Sequence, residues 1–295
     1  VPGTLFVCAT PIGNLEDITL RALRVLREVD LIVGEDTRRT RKLLAHYGIS
    51  TPFAASLYEG VEEKRVPEVL ALLEEGKSVA LVCDAGTPLI SDPGFLLVHA
   101  CRERGIPVVP VPGPAAFLVA LVGSGLPADR FQFWGYLPRS AGKRRRALEE
   151  LRGVLLTTAF YESPHRLLGT LEVLAQLFPQ RMVVVARELT KVHEEFVRGS
   201  AQQVVADFAR REEILGEAVV LVGPDSTSAR AREEARDPRA LWEELVNSGL
   251  EPGEALREVA RRLHLPRREV YRLVHVKVDH GHTGYHQAKL AGREP

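Results

Sequence analysis

The run Val79-Ala80-Leu81-Val82-Cys83-Asp84-Ala85-Gly86-Thr87-Pro88-Leu89-Ile90-Ser91-Asp92-Pro93-Gly94 decides the fold. Five apolar residues rich in valine pass directly into a loop dense in Gly, Pro and Asp, after which Leu96, Leu97 and Ala100 return at helical spacing. A continuous apolar run of this length, bounded by turn residues and followed by a helical period, reads as a strand buried on both faces that feeds a crossover helix. Such strands belong to parallel sheets.

Moving outward, the same unit recurs. Short apolar runs at Leu5–Ala9, Leu31–Val33, Phe53–Leu57 and Val108–Val111 alternate with helical patterns carried by Leu20, Leu23 and Leu26, by Leu43 and Leu44, and by Val66, Val69, Leu70 and Leu73. Asp17 is a candidate N-cap for the first of these helices. Residues 1–124 are therefore expected to form an open α/β domain. From 125 to 223 the apolar runs are longer and richer in β-branched residues, at Val154–Tyr161, Met182–Arg187 and Ala218–Val222, with a short candidate strand at Phe196–Arg198. Helical patterns at Pro164–Leu177 and Ala201–Glu213 separate them, which predicts a second, mixed α/β domain. Residues 224–237 read as a polar linker. Residues 238–276 carry three short amphipathic segments joined by tight turns, a helix-turn-helix-like module, and 277–295 read as a tail in which His280, His282 and His286 are scattered.

The 295 residues are 45% hydrophobic and 26% charged, an ordinary globular balance. Lysine plus arginine equals aspartate plus glutamate at 39 each, so no global field draws the chain onto nucleic acid or an acidic membrane, and any such site must be local. Cys8, Cys83 and Cys101 stand singly in apolar surroundings, which predicts buried thiols rather than disulfides or metal ligands. No apolar run approaches a membrane span and the N-terminus lacks a signal-peptide profile, so a cytoplasmic location is expected, with no membrane partner and no metal.

Three loops follow predicted strands: Ala9-Thr10-Pro11-Ile12-Gly13-Asn14, the 84–94 loop, and Pro110-Val111-Pro112-Gly113-Pro114-Ala115-Ala116. In an open parallel sheet ligands bind at the carboxyl ends of the strands, where glycine lets backbone approach the ligand and proline fixes the loop. None of the three has the phosphate-binding lysine motif or the dinucleotide glycine fingerprint. A site of backbone edges and a carboxylate suits a ligand of little negative charge, and S-adenosylmethionine answers that description.

Six motifs stand in order: Ala9 to Asn14; Gly34-Glu35-Asp36-Thr37-Arg38; Asp84 to Gly94; Pro112 to Ala116; Phe160-Tyr161-Glu162-Ser163-Pro164-His165-Arg166; and Ala186-Arg187-Glu188-Leu189-Thr190-Lys191. This set resembles the tetrapyrrole-methylase superfamily, and within it the branch that methylates a cytidine ribose 2′-oxygen of 16S ribosomal RNA. The resemblance runs from Thr4 to about Val222. The wider superfamily usually opens on a glycine-rich loop, which Pro11-Ile12-Gly13-Asn14 replaces here, a departure that suits the RNA-acting branch. The resemblance implies a bilobal enzyme, usually a homodimer, that binds S-adenosylmethionine between two α/β domains. Carried over by motif, Pro11, Ala85, Gly86, Thr87, Ile90, Ala115 and Ala116 lie along the cofactor, joined by Tyr161, Leu189 and Ala218, with Asp84 and Asp92 as further candidates.

Methyl transfer to a ribose hydroxyl needs alignment first and removal of a proton second. Among the polar residues in and just after the motifs, Lys191 with Glu188 or Glu194 is the candidate set for orienting or deprotonating the hydroxyl, with Arg38 on the first lobe. Ser163 and Pro164 also read as a helix start. A 16S RNA or small-subunit partner requires local positive charge. Three clusters offer it: Arg38-Arg39-Thr40-Arg41-Lys42, Lys143-Arg144-Arg145-Arg146, and Arg261-Arg262 with Arg267-Arg268 inside the helical module. A methyltransferase acting on a small tetrapyrrole and a non-catalytic RNA-binding assembly factor stay open as alternatives.

Overall fold

A computed structural model of the chain describes residues 1–58, 60–225, 238–263 and 265–275. The chain divides into two compact units, Val1–Ser226 and Thr227–Pro295. The first unit opens with β1 (Leu5–Cys8), α1 (Leu20–Glu28), β2 (Leu31–Gly34), α2 (Thr37–His46), β3 (Phe53–Ser56), α3 (Glu62–Glu74), β4 (Val79–Val82), α4 (Phe95–Glu103) and β5 (Val108–Val111). The five strands form one parallel sheet in the order β3-β2-β4-β1-β5.

The period of two along each strand assigns its side chains to opposite faces. Leu5, Val33, Val79 and Leu81 join Val69, Leu70 and Leu73 of α3 and Leu97 and Cys101 of α4 on one side. Cys8, Ile32, Ala80 and Val82 join Ala22, Val25 and Leu26 of α1 and Leu44 of α2 on the other. A sheet covered on both faces must be apolar throughout, and all four residues of the central β4 are buried. Thr19, rather than Asp17, caps α1, its hydroxyl accepting from the Ala22 N–H at 3.0 Å. Asp17 closes a single 3-10 turn, and the extended Ile18 then delays the helix by two residues.

The chain continues through α5 (Ala116–Gly123), β6 (Phe131–Tyr136), α6 (Ala141–Glu149), β7 (Thr157–Glu162), α7 (Pro164–Leu177), β8 (Met182–Arg187), β9 (Glu195–Ser200), α8 (Ala201–Phe208) and β10 (Ala218–Val222). These strands make a second sheet in the order β6-β7-β10-β8-β9, with β6 parallel to β7 and the other pairs antiparallel. Phe160, Val183, Val185 and Val220 face α7 and α8, while Ala159, Val184, Ala186, Val219 and Leu221 face Ala120 and Leu121 of α5. The helix that follows the first sheet thus covers the second one. The candidate strand at Phe196–Arg198 is a six-residue strand, and Ser200 and Gln203 form a capping box at the start of α8.

In the second unit α9 (Pro238–Asn247), α10 (Pro252–Leu263) and α11 (Arg267–His275) enclose their own core of Leu241, Leu245, Ala255, Leu256, Val259, Val270 and Val274. The linker reading beyond Asp225 and the tail reading over 277–295, with its three histidines, lie outside the described residues. Among the described residues no helix is long and apolar enough to cross a membrane, and the three cysteines are buried as free thiols.

Candidate functional site

The carboxyl ends of β1, β2, β4 and β5 bring four loops to one edge of the first sheet. Thr10 and Gly86 exchange both backbone hydrogen bonds, at 2.8 and 3.0 Å, and the Thr10 hydroxyl donates to the Cys83 carbonyl at 3.2 Å. The Thr87 hydroxyl donates to the Pro114 carbonyl at 2.9 Å, which ties the loop after β4 to the loop after β5. Glu35 accepts from the Asp84 N–H at 3.2 Å, and the Asp84 carboxylate accepts from the Asp36 N–H at 3.0 Å while pairing with Arg39 at 3.3 Å. Glu62 of α3 takes the Gly94 and Leu96 N–H groups, at 3.1 and 2.8 Å, and so caps α4 from a neighbouring helix.

The opposite wall comes from the second sheet. Glu162, at the end of β7, is wholly buried as a side chain, where Arg166, the Thr170 hydroxyl and the Ser163 N–H satisfy it. Ser163 occupies the cap position of α7, but its side chain makes no cap bond and Pro164 takes the first helical turn. After β8 the chain turns sharply. The Glu188 carboxylate accepts from Lys191 Nζ at 2.9 Å and from the Glu217 N–H at 3.2 Å, and the Glu194 carboxylate accepts from the Thr190 N–H at 2.6 Å. The lobes meet where the Asn14 N–H donates to the Thr190 hydroxyl at 3.0 Å.

Among the described residues, the four non-glycine residues with left-handed φ are Leu89, Ser91, Glu188 and Thr190. All of them sit in the two loops that face each other across this cleft. Backbone conformations of this kind cost free energy and cluster where a site over-determines them.

Between the walls lies a cavity of about 300 Å³, a size that takes a nucleoside-like ligand. Asp84, Ala85, Gly86, Thr87, Ile90, Ala115, Ala116, Tyr161, Leu189 and Ala218 all line it, and so do Glu188 and Lys191. Three of the residues singled out in the sequence do not. Pro11 lines a shallower groove alongside. Arg38 is 85% exposed and chelates the Asp36 carboxylate, and Glu194 lies behind the loop it braces. Residues outside the six motifs also enter, namely Arg39, Tyr136, Glu217 and Val219. Glu217 and Val219 flank Ala218, which the resemblance places along the cofactor, and the sheet order brings this end of β10 to the cleft.

The lining is acidic. Glu35, Asp84, Asp92, Glu188 and Glu217 face it, against Arg39 and Lys191, while the Glu162 side chain is wholly buried on Arg166. Burial, with Glu35, Asp84 and Glu217 nearby, pushes the Asp92 carboxyl up to about 6. Burial raises Glu35 as well, with the Asp84 charge adding to it. The Lys191 hydrogen bond holds Glu188 below its ordinary value, so Glu188 is a carboxylate at neutral pH. Burial raises Tyr161 to about 12 and raises Tyr136, which keeps both phenols protonated. A cavity of this charge repels polyphosphates and attracts a cation. Backbone edges, apolar and aromatic walls and an excess of carboxylates fit an adenosine that carries a sulfonium and an amino group.

The fold and this cleft define a bilobal α/β class, and a family model described as Tetrapyrrole (Corrin/Porphyrin) Methylases matches residues 4–205. Within that class the chain belongs to the ribosomal RNA small subunit methyltransferase I family. It is 44% identical over 276 residues to the protein of that name from Halalkalibacterium halodurans, covering 92% of this chain and 95% of the relative. It is 48% identical over 223 residues to the Thermotoga maritima protein of that name, covering 76% of this chain and the whole of the relative. Among solved structures, the methyltransferase CobJ aligns with a TM-score of 0.57 at 22% identity, over 76% of this chain and 95% of that one, a likeness of fold.

Proposed function

We propose that this chain methylates the ribose 2′-oxygen of a cytidine in 16S ribosomal RNA, with S-adenosylmethionine as methyl donor. The observation that carries the reading is the convergence of Glu188 and Lys191 with the backbone-lined strand-end loops around one acidic cavity. The RNA substrate comes from the name the relatives share.

Ala85, Gly86, Thr87, Ala115 and Ala116 would hold the cofactor through backbone edges, with Ile90, Tyr161, Leu189 and Ala218 as walls and the carboxylates balancing its positive charge. When bound, the cofactor supplies an electrophilic methyl carbon on a sulfonium. The rest is the protein's task. The cleft must hold the acceptor oxygen in line at roughly 3–3.5 Å from the methyl carbon. Glu188, ionised and fixed by Lys191 and the Glu217 N–H, would take the hydroxyl proton as the new carbon–oxygen bond forms and the sulfur–methyl bond breaks. Glu194 acts behind it as a positioning residue that closes the Thr190 turn, and Arg38 with Asp36 holds the start of α2, from which Arg39 enters the cavity.

Two further parts belong to this reading. Of the cluster read in the sequence, Arg261 and Arg262 are engaged by Glu258, while Arg267 and Arg268 are exposed on α11 with Arg272 and give the C-terminal helices a basic surface for RNA. Leu118 and Val122 of α5, 44% and 81% exposed, offer an apolar contact for a second copy. On this reading the chain is a cytoplasmic homodimer that acts on the small subunit. Transfer of labelled methyl groups to small subunits that lack the modification, with the methylated ribose mapped, tests the whole. RNA binding without transfer would favour a non-catalytic assembly factor, and transfer to a tetrapyrrole alone would replace the substrate.

A further inference from the structure

Alongside the cofactor cavity lies a second, more open groove of about 330 Å³. Pro11 and Leu15 form one side and Lys42 and Leu43 of α2 the other, while Ile12, Arg39, Asp84 and Ala85 border both the groove and the cavity. The two are thus neighbours across a shared wall. Their charges are opposite in sense. Five carboxyl groups face the cavity against two cations, whereas the groove carries Arg39 and Lys42 against Asp84 alone. Arg39 and that carboxylate pair with each other, so Lys42 is the groove's uncompensated charge. Lys42 is exposed, and among the described residues it has no ion pair or hydrogen bond.

A polyanionic strand that presents one ribose to an acidic cavity cannot follow it inward. Each phosphodiester is repelled by the carboxylates there and settles where the sign of the potential reverses. We propose that the groove holds the RNA strand on one side of the target nucleotide. The flanking phosphodiester lies on Lys42 and Arg39, and the adjoining sugar or base face lies on Pro11, Leu15 and Leu43. This rests on the RNA-methylating reading above and adds to it the path of the strand. It also gives Pro11, which resemblance places on the cofactor, a role on the acceptor side. Contact is with the backbone and an apolar face, so the groove positions the strand without reading its sequence. Arg39, which borders both spaces, links them: occupying it with a phosphate loosens its hold on Asp84.

The test compares Lys42→Ala and Lys42→Glu with Lys64→Ala, an exposed lysine on α3 outside the groove. Two measurements are made on the full chain: fluorescence anisotropy of a short single-stranded ribo-oligonucleotide across a salt series, and steady-state methyl transfer to small subunits. For Lys42→Ala, oligonucleotide Kd and subunit KM rise about three- to tenfold, and the slope of log Kd against log salt falls by about 0.7, the loss of one phosphate contact on a single strand. Lys42→Glu goes further in the same direction, the effect falls on KM rather than kcat, and Lys64→Ala matches the parent chain. Wild-type Kd and salt slope in Lys42→Glu would overturn the groove, and so would an equal loss in Lys64→Ala, which would show a charge effect without a site. Absence of methyl transfer by the parent chain would instead sink the functional reading, while the oligonucleotide series still reads the groove.

Discussion

A Cβ placed on Gly216 would stand 1.9 Å from Oε1 of Glu188. Gly216 also has φ +78°, so glycine serves twice: it accepts the left-handed backbone and leaves room for the carboxylate beneath it. Gly216→Ala should push Glu188 off Lys191 and the Glu217 N–H. The expected result is a kcat lowered at least tenfold, cofactor affinity within a few-fold of wild type, and a melting temperature lower by several degrees, in keeping with roughly 1 kcal/mol or more for alanine at positive φ. An unchanged kcat would remove Glu188 from the transfer step.

The Glu188–Lys191 pair separates two roles that a single knockout would merge. Glu188→Gln keeps the shape and loses the proton acceptor, so kcat should fall by about 10² or more while cofactor binding persists. Lys191→Ala leaves the carboxylate but releases it from the hydrogen bond that holds it below its ordinary value. Glu188 then protonates more readily, and the acid limb of the kcat profile moves to higher pH. If Lys191→Ala lowers kcat without moving that limb, Lys191 acts on the acceptor directly rather than through Glu188.

Asp92 carries an opposite pH signature. Its folded carboxyl lies at about 6 against an ordinary 3.8, because burial and neighbouring carboxylates penalise the charge. The folded chain therefore binds this proton more tightly than the unfolded one, and the contribution favours folding at low pH and is lost as pH rises through about 6. Asp92→Asn removes that loss, so its melting temperature should exceed the parent's by a few degrees above pH 7 and converge with it near pH 4. Cofactor affinity should move the other way in the parent chain, rising between pH 5 and 7 as a carboxylate forms to face the cation. Thermal melts and cofactor titrations across this range check both signs, and equal pH dependence in the variant would count against a role for Asp92 in the site.

The motif loops were legible because their chemistry is written in consecutive residues: glycines and prolines after an apolar run mark a strand end in a parallel sheet, and the sheet then gathers them. What escaped is what depends on packing. Phe131–Tyr136 lies between Pro127 and Pro138, and Gly135, at φ +63°, breaks its register against β7, so β6 shows neither a continuous apolar run nor a clean alternation. The basic stretch Lys143–Arg146 reads as charge, yet it is part of helix α6, which is held by the buried Leu148. The acidic character of the cavity was equally hidden, since Glu35, the loop that holds Asp84 and Asp92, Glu188 and Glu217 are far apart in the chain and meet only through the strand order. Arg38 and Arg39 are adjacent in sequence, and only the turn of α2 decides that Arg39 enters the cavity while Arg38 folds back on Asp36.

The boundary between the two compact units yields a prediction about division of labour. Every residue lining the cavity lies in Val1–Ser226, while α9, α10 and α11 are closed around their own core. A chain ending at Ser226 should therefore fold, bind S-adenosylmethionine as the full chain does, and retain transfer at saturating substrate. Its affinity for small subunits should fall, because the exposed Arg267, Arg268 and Arg272 go with the deleted helices. Loss of three cationic contacts corresponds to a KM raised by about tenfold or more at low salt, with a gap that narrows as salt increases. Cofactor calorimetry and a salt series of subunit methylation decide the matter. Equal KM for the two chains at every salt concentration would free the C-terminal helices from RNA binding, and loss of cofactor binding would show that they support the catalytic unit instead.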